Sequence, residues 1–186
     1  MRGPDGRPWH SWRVLLLPYV EHEHVFKQYR FDEPWDGPHN RELAGRMPTL
    51  YRSHSRGRED RDPTTNYLAV VGPDTLWPGA EPRQVRGVSG DTILLVENHG
   101  AGVHWMEPRD LVLADMDLTV DSPAGVSSPY RGPAVVTLDD SVQRLDSGLP
   151  PATLRALLTL TGERPVRRPG GGWEPLADGR LRDRKP

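Results

Sequence analysis

TILLVEN, residues 92–98, holds four consecutive apolar side chains, Ile93 to Val96, closed by Glu97 and Asn98. A run this short and rich in branched side chains reads as a buried strand rather than a helix. NYLAVVG, residues 66–72, has the same make-up, ends at Gly72, and reads as a second buried strand. The 73–91 stretch between them is rich in Pro and Gly and reads as loop. Further on, GVHWMEPRDLVL (102–113) reads as a short strand running into a helical turn around Pro108 to Leu111. AVVTLDDSVQRL (134–145) has two apolar segments joined at Asp139 and Asp140, the pattern of a hairpin whose turn tolerates left-handed backbone. TLYRS (49–53) reads as another short strand.

Helical patterning frames these strands. Ser11 can cap a first helix, and Val14, Leu15, Leu17, Val20, Val25, Phe26 and Tyr29 form an apolar stripe that Pro18 must kink or split. RELAGRM (41–47) has short-helix composition, with Pro38 suited to its first turn and the Asp36 carboxylate placed to accept from its first amides. In PPATLRALLTLTG (150–162), Pro151 fits a first turn, Leu154, Leu157 and Leu158 form a stripe, and Gly162 can end it. The expected fold is a single α+β domain over 9–163. It has a kinked N-terminal helix and a mainly antiparallel sheet from segments near 47–53, 66–72, 91–98 and 102–106. A hairpin at 133–145 and a closing helix at 151–160 complete it. Residues 1–8 read as a disordered lead-in and 164–186 as a disordered Arg/Pro/Gly tail.

Composition excludes several classes of function. The 186 residues suit one domain with a real core. With 19 glycines and 20 prolines, short elements are favoured over long helices. A net charge of −2 gives no field that argues for nucleic acid, and none is expected as a partner. The absence of cysteine removes disulfides, thiolate zinc sites and thiol nucleophiles. The apolar run Val14–Leu17 stops at Pro18, far short of the roughly 20 residues of a membrane span, so no membrane contact by this chain itself is expected.

Three clusters carry candidate chemistry. In FDEPWDGPHN (31–40), Asp32, Glu33, Asp36 and His39 offer oxygen ligands suited to Ca²⁺, but in no known calcium-loop order. The competing reading is a rigid junction, with Pro34 and Pro38 fixing the chain, Trp35 packing inward and Asp36 capping a helix. In VENHGAGVHWMEPRD, Glu97, His99 and His104, with Glu107 and Asp110 nearby, could imitate a His/His/carboxylate site for Zn²⁺, or sit as polar residues at a hairpin mouth. His22 and His24 lie two apart, which on a helix points them about 200° from one another. No nucleophile elbow, phosphate-binding loop or dinucleotide fingerprint occurs. Trp9, Trp12, Trp35, Trp77 and Trp105 suit either a ligand groove or packing beside prolines. No catalytic residue and no cofactor is expected.

The blocks SWRVLLLPYVEH, FDEPWDGPHN, TNYLAVVGPDTLWPG, DTILLVENHGAGVHWMEPRDL and AVVTLDDSVQRLDSGLPPATLRALLTLTGE follow one another in a recognisable order. From about Trp9 to Glu163 they resemble the DUF1559 proteins of planctomycete-type bacteria. These are described as pseudopilin-G-like and prepilin-processing-associated, with a C-terminal H-x9-DG motif. The structural motif positions within the blocks are Trp12, Pro18, Trp35, Asp36, Pro38, Asn66, Tyr67, Glu97, Asp139 and Asp140. The resemblance implies a pilin-like soluble head exposed in the cell envelope, outside the cytoplasm. It implies no enzyme activity, and protein partners in a pilus- or secretion-type assembly.

Three departures from the family pattern stand out. The prepilin leader and its apolar helix are not in this chain, which fits a fragment, a misplaced start or a truncated paralogue; a full-length chain would be cytoplasmic. Pro129 stands where the motif has His, with Asp139-Asp140 in place of Asp-Gly. Ser53 stands where relatives commonly have Cys. The alternative function is a small-ligand or metal-binding domain, or a hydrolase, built on Glu97, His99 and His104 or on the acidic loop of Asp32, Glu33 and Asp36.

Overall fold

The computed structural model describes residues 2–52, 62–79, 85–130 and 132–176. The N-terminal stripe folds as three single turns rather than one kinked helix: α1 (Trp12–Leu15), a 3₁₀ turn (Leu17–Val20) and α2 (Glu23–Phe26). Ser11 caps α1 as expected, its hydroxyl accepting from the Arg13 amide. Pro18 enters the 3₁₀ turn, where its missing N–H costs nothing. Glu21 at φ 63° then reverses the chain into α2.

The ribbon TTNYLAVV, residues 64–71, organises the middle of the molecule. It supplies β1 (Thr64–Thr65), β2 (Tyr67–Leu68) and β3 (Val70–Val71), each with a different partner. β4 spans Ile93–Glu97, β5 Val103–His104, β6 Leu111–Val112, β7 Ala134–Thr137 and β8 Val142–Arg144. The antiparallel four-stranded sheet runs β2-β4-β7-β8, β1 pairs antiparallel with β5, and β3 pairs parallel with β6. The partners change at Asn66 and Ala69. Asn66 donates its amide to the Tyr51 carbonyl and accepts from the Asn98 amide. Ala69 donates to the Asp110 carboxylate and accepts from the Leu111 amide.

TILLVEN is the strand its composition predicts, with one irregularity. Register shifts between Ile93 and Leu95 opposite β7, a bulge that leaves Leu94 and Leu95 both half-buried in place of strict alternation. The Leu94 carbonyl accepts from the Trp77 indole (2.8 Å).

Closing helix α3 (Pro151–Leu158) seals the larger core. Leu154, Leu157 and Leu158 pack with Leu68, Val96, Val103 and Val135. It ends before Gly162 because Thr159 turns extended while its hydroxyl donates to the Arg155 carbonyl. A second core joins Val14, Leu17 and Val25 to Leu43, Tyr51, Trp105 and Met106. No helix among the described residues is long and apolar enough to cross a membrane.

Four further expectations are corrected. The strand near 47–53 is a 3₁₀ turn, Thr49–Tyr51, because the Tyr51 carbonyl is taken by Asn66 and Thr65 across the chain. The helical turn at Pro108 to Leu111 is extended, because Asp110 is held against Ala69 and carries its neighbours into β6. Residues 2–8 close a turn, with Gly3 donating to Arg7 and lying so near the Trp9 ring that a Cβ would overlap it. The tail packs over 164–176: Arg167 bridges to Trp173, whose side chain joins the larger core. The rest of that tail, Ser53 and the loop from 53 to 61 lie outside the described residues.

Candidate functional site

A buried ion pair lies where α1 meets the ribbon. Arg13 is fully buried, and its Nη2 donates to Asp110 Oδ1 at 2.6 Å. Nε and Nη2 also donate to the Tyr67 carbonyl (3.1 and 2.9 Å), and Nη1 to Ser11 Oγ (3.0 Å). Asp110 accepts in addition from the Ala69 amide (2.9 Å) and the Trp12 indole (3.2 Å). Burial pushes the Asp110 carboxyl above its ordinary pKa, with Arg13 and the donated hydrogen bonds working against that shift. Tyr51 donates to the Arg13 carbonyl (2.7 Å), and burial pushes its phenol up to about 12. Sequence reasoning did not pair Arg13 with Asp110, which are 97 residues apart. The available signal was that Arg13 lies four residues before Leu17, on the apolar face.

FDEPWDGPHN forms a junction, but with a different clasp from the one expected. RELAGRM lies in a 3₁₀ helix, Asn40–Arg46, whose first amide, that of Asn40, donates to Glu33 Oε1 (2.6 Å), so Glu33 rather than Asp36 fills the capping role. Asp36 contributes its main-chain carbonyl, which accepts from Arg41. Asn40, fully buried, accepts from the Arg30 amide and donates to the Arg30 and Pro34 carbonyls. Gly37 is required there, since a Cβ would sit 2.9 Å from the Pro34 carbonyl oxygen. Trp35 is half-buried against the second core, 4.9 Å from the His104 ring. His39 turns to the Gln28 carbonyl and Asp32 is exposed, so the four expected ligands diverge.

The second cluster is likewise dispersed. Glu97 is buried, accepting from the Ser128 hydroxyl and the Ala134 amide, both at 2.9 Å. It thereby moors the chain entering β7. His99 is exposed, whereas His104 is half-buried with Nδ1 accepting from the Met106 amide. Burial lowers the His104 pKa, with Glu107 and Asp62 opposing the shift. Asn98, which sequence reasoning passed over, is the hub: it donates to the Pro123 and Gly125 carbonyls and accepts from Gly100 and Ala101. His22 and His24 lie closer than expected, rings 5.6 Å apart, because His22 precedes α2. Among the described residues no group of three or more His, Asp or Glu side chains could hold a metal ion.

The β7–β8 turn departs from Asp-Gly as the sequence suggested. Asp140 adopts φ 63°. Hydrogen bonds from Thr137 and Ser141 hold the Asp139 carboxyl well below the usual carboxylate range. Arg167 joins Asp139 (3.1 Å) to Asp91. Pro129, at the motif's His position, is exposed.

The tryptophans serve as struts: Trp105 donates to the Ala44 carbonyl, Trp77 to Leu94 and Trp12 to Asp110. Sequence reasoning left out Trp173, now seen in the core. Exposed apolar side chains are spread along the described residues, and three of them fall within one five-residue stretch, at Leu15 (39 %), Leu16 (39 %) and Tyr19 (83 %).

These features define an α+β domain whose buried polar side chains hold one chain segment to another. The chain belongs to the family described as "Protein of unknown function (DUF1559)", whose family model matches residues 2–110. That match takes in Arg13, Asp110, the 31–40 junction and Glu97, and stops before β7. No curated protein and no solved structure matches the chain.

Proposed function

We propose that this domain works by protein contact, as the non-enzymatic head of a pseudopilin-like assembly in the cell envelope. The observation that carries this reading is the strip Leu15, Leu16 and Tyr19, apolar side chains left in solvent on a segment pinned from behind by Val14, Leu17 and Arg13. Large apolar groups on a rigid backing bury area on contact at little ordering cost. The resemblance of its blocks to the DUF1559 proteins supports this choice of compartment and partner. The buried carboxylates Glu97 and Asp110 act as internal struts, which argues against the metal or hydrolase reading.

Site-specific photocrosslinking from position 19 in the source cells tests it. A discrete adduct in the envelope fraction, abolished by Leu16→Asp, is the expected result. Position 19 giving no adduct, with the protein recovered as a free species, would overturn the proposal.

A further inference from the structure

We propose that the outer edge of β8 is a docking groove for an extended peptide segment bearing a carboxylate. In the β7–β8 ladder, Leu145 donates to Pro133 and Thr137 to Ser141. Antiparallel pairs alternate, so Val135↔Gln143 is also a hydrogen-bonded pair, and the main-chain groups of Val142 and Arg144 face away from β7. β8 is the last strand of its sheet, and among the described residues nothing pairs with that outer edge. Val142 is 67 % exposed. Such an edge is a template for an added strand, in which main-chain hydrogen bonds supply affinity and side chains supply selection.

The groove beside this edge fixes the chemistry of its occupant. A cleft of about 430 Å³ runs along Gln143, Arg144 and Leu145 and is walled opposite by Arg168, the Gly170–Gly172 bend and Trp173. Arg144 commits one guanidinium N–H to the Gly132 carbonyl (2.8 Å). Among the described residues the Arg168 guanidinium has no hydrogen-bond or ion-pair partner. Asp146, also on the lining, accepts from the Gly148 amide. The rim is therefore net positive and holds unspent donors. Trp173 lines the cleft while itself buried, and its indole N–H has no acceptor among the described residues. Residues 177–186 carry four basic and two acidic side chains, the same sign as the rim, so the charge favours a separate, acidic segment. The groove shares no residue with the Leu15–Tyr19 strip, and its test stands apart from that reading.

The experiment is selection from a random octapeptide library on the wild-type chain, with Val142→Pro and Arg168→Glu as counter-screens. Proline removes the outward N–H, and an edge strand accepts it where that N–H faces solvent. Expected are acidic peptides that shift the Val142 and Arg144 amides and the Trp173 indole N–H in ¹⁵N spectra. Arg168→Glu should weaken them by about tenfold or more, the scale of one lost charge-assisted hydrogen bond. Amidating or neutralising the peptide carboxylates should do the same. Should Val142→Pro melt early, Arg168→Glu and the amide shifts decide alone. No enrichment, or binding indifferent to both substitutions and to peptide charge, overturns the proposal. So does a response to inorganic phosphate or acetate matching the peptides' with the strand amides unmoved, which would mark a small-anion site.

Discussion

Replacing Arg13 with Ala would leave the Asp110 carboxylate buried without its counter-charge, and removing one member of such a pair costs about 3–5 kcal/mol. Urea unfolding of Arg13→Ala should show a loss of that size. The double variant Arg13→Met/Asp110→Leu should recover part of it, because the unpaired charge is gone while the Ala69 amide still lacks its acceptor. A different residue sets the response to acid. His10 is buried with Nδ1 hydrogen-bonded to the Tyr29 hydroxyl, and burial lowers its pKa below the ordinary 6.5. His104 is lowered for the same reason. In the window between the lowered and ordinary values the unfolded chain binds more protons than the folded one. Stability is thus fully present above about pH 6.5 and falls as pH drops through that window. Melting temperature should decline from pH 7 to pH 5, and the decline should be shallower in His10→Gln/His104→Gln. Neither histidine's setting was legible in the sequence. Burial depends on Trp35 and Tyr29, which arrive from other segments.

At the scale of elements, local pattern and tertiary demand can be separated. TILLVEN, the β7–β8 hairpin and α3 form where their own residues ask for them, since apolar composition, turn tolerance and an N-terminal proline act over a few positions. TLYRS and the Pro108–Leu111 stretch do not. Their main-chain groups are captured by Asn66 and by Ala69, and no window of a few residues contains that information. The 31–40 junction lies between these cases: the turn was readable from its prolines, but the choice of Glu33 over Asp36 depends on how the loop folds back on Asn40. At the hairpin, Asp140 adopts a backbone that favours glycine. Asp140→Gly should therefore raise stability by up to about 1 kcal/mol, read as a higher melting temperature. Asp139→Ala should act oppositely, since it frees Thr137, Ser141 and Arg167 together.

For the molecule as a whole, residues 164–176 are part of the body. Trp173→Ala removes a buried indole from the larger core and should cost about 3–5 kcal/mol in chemical denaturation. Adding CaCl₂ or ZnSO₄ should leave the melting temperature unchanged, because a ligand raises it only by binding the folded state and the candidate donors are spread apart. The ribbon at 64–71 has a consequence for how the protein breathes. Its main-chain groups face four separate segments, near positions 51, 97, 104 and 110, three of them as sheet partners. Detaching any one of the three sheets exposes only part of it, and freeing all of it requires opening them together. Deuterium uptake at Tyr67 to Val71 should accordingly be among the slowest in the chain, governed by global unfolding, while β8 exchanges early by fraying at its margin.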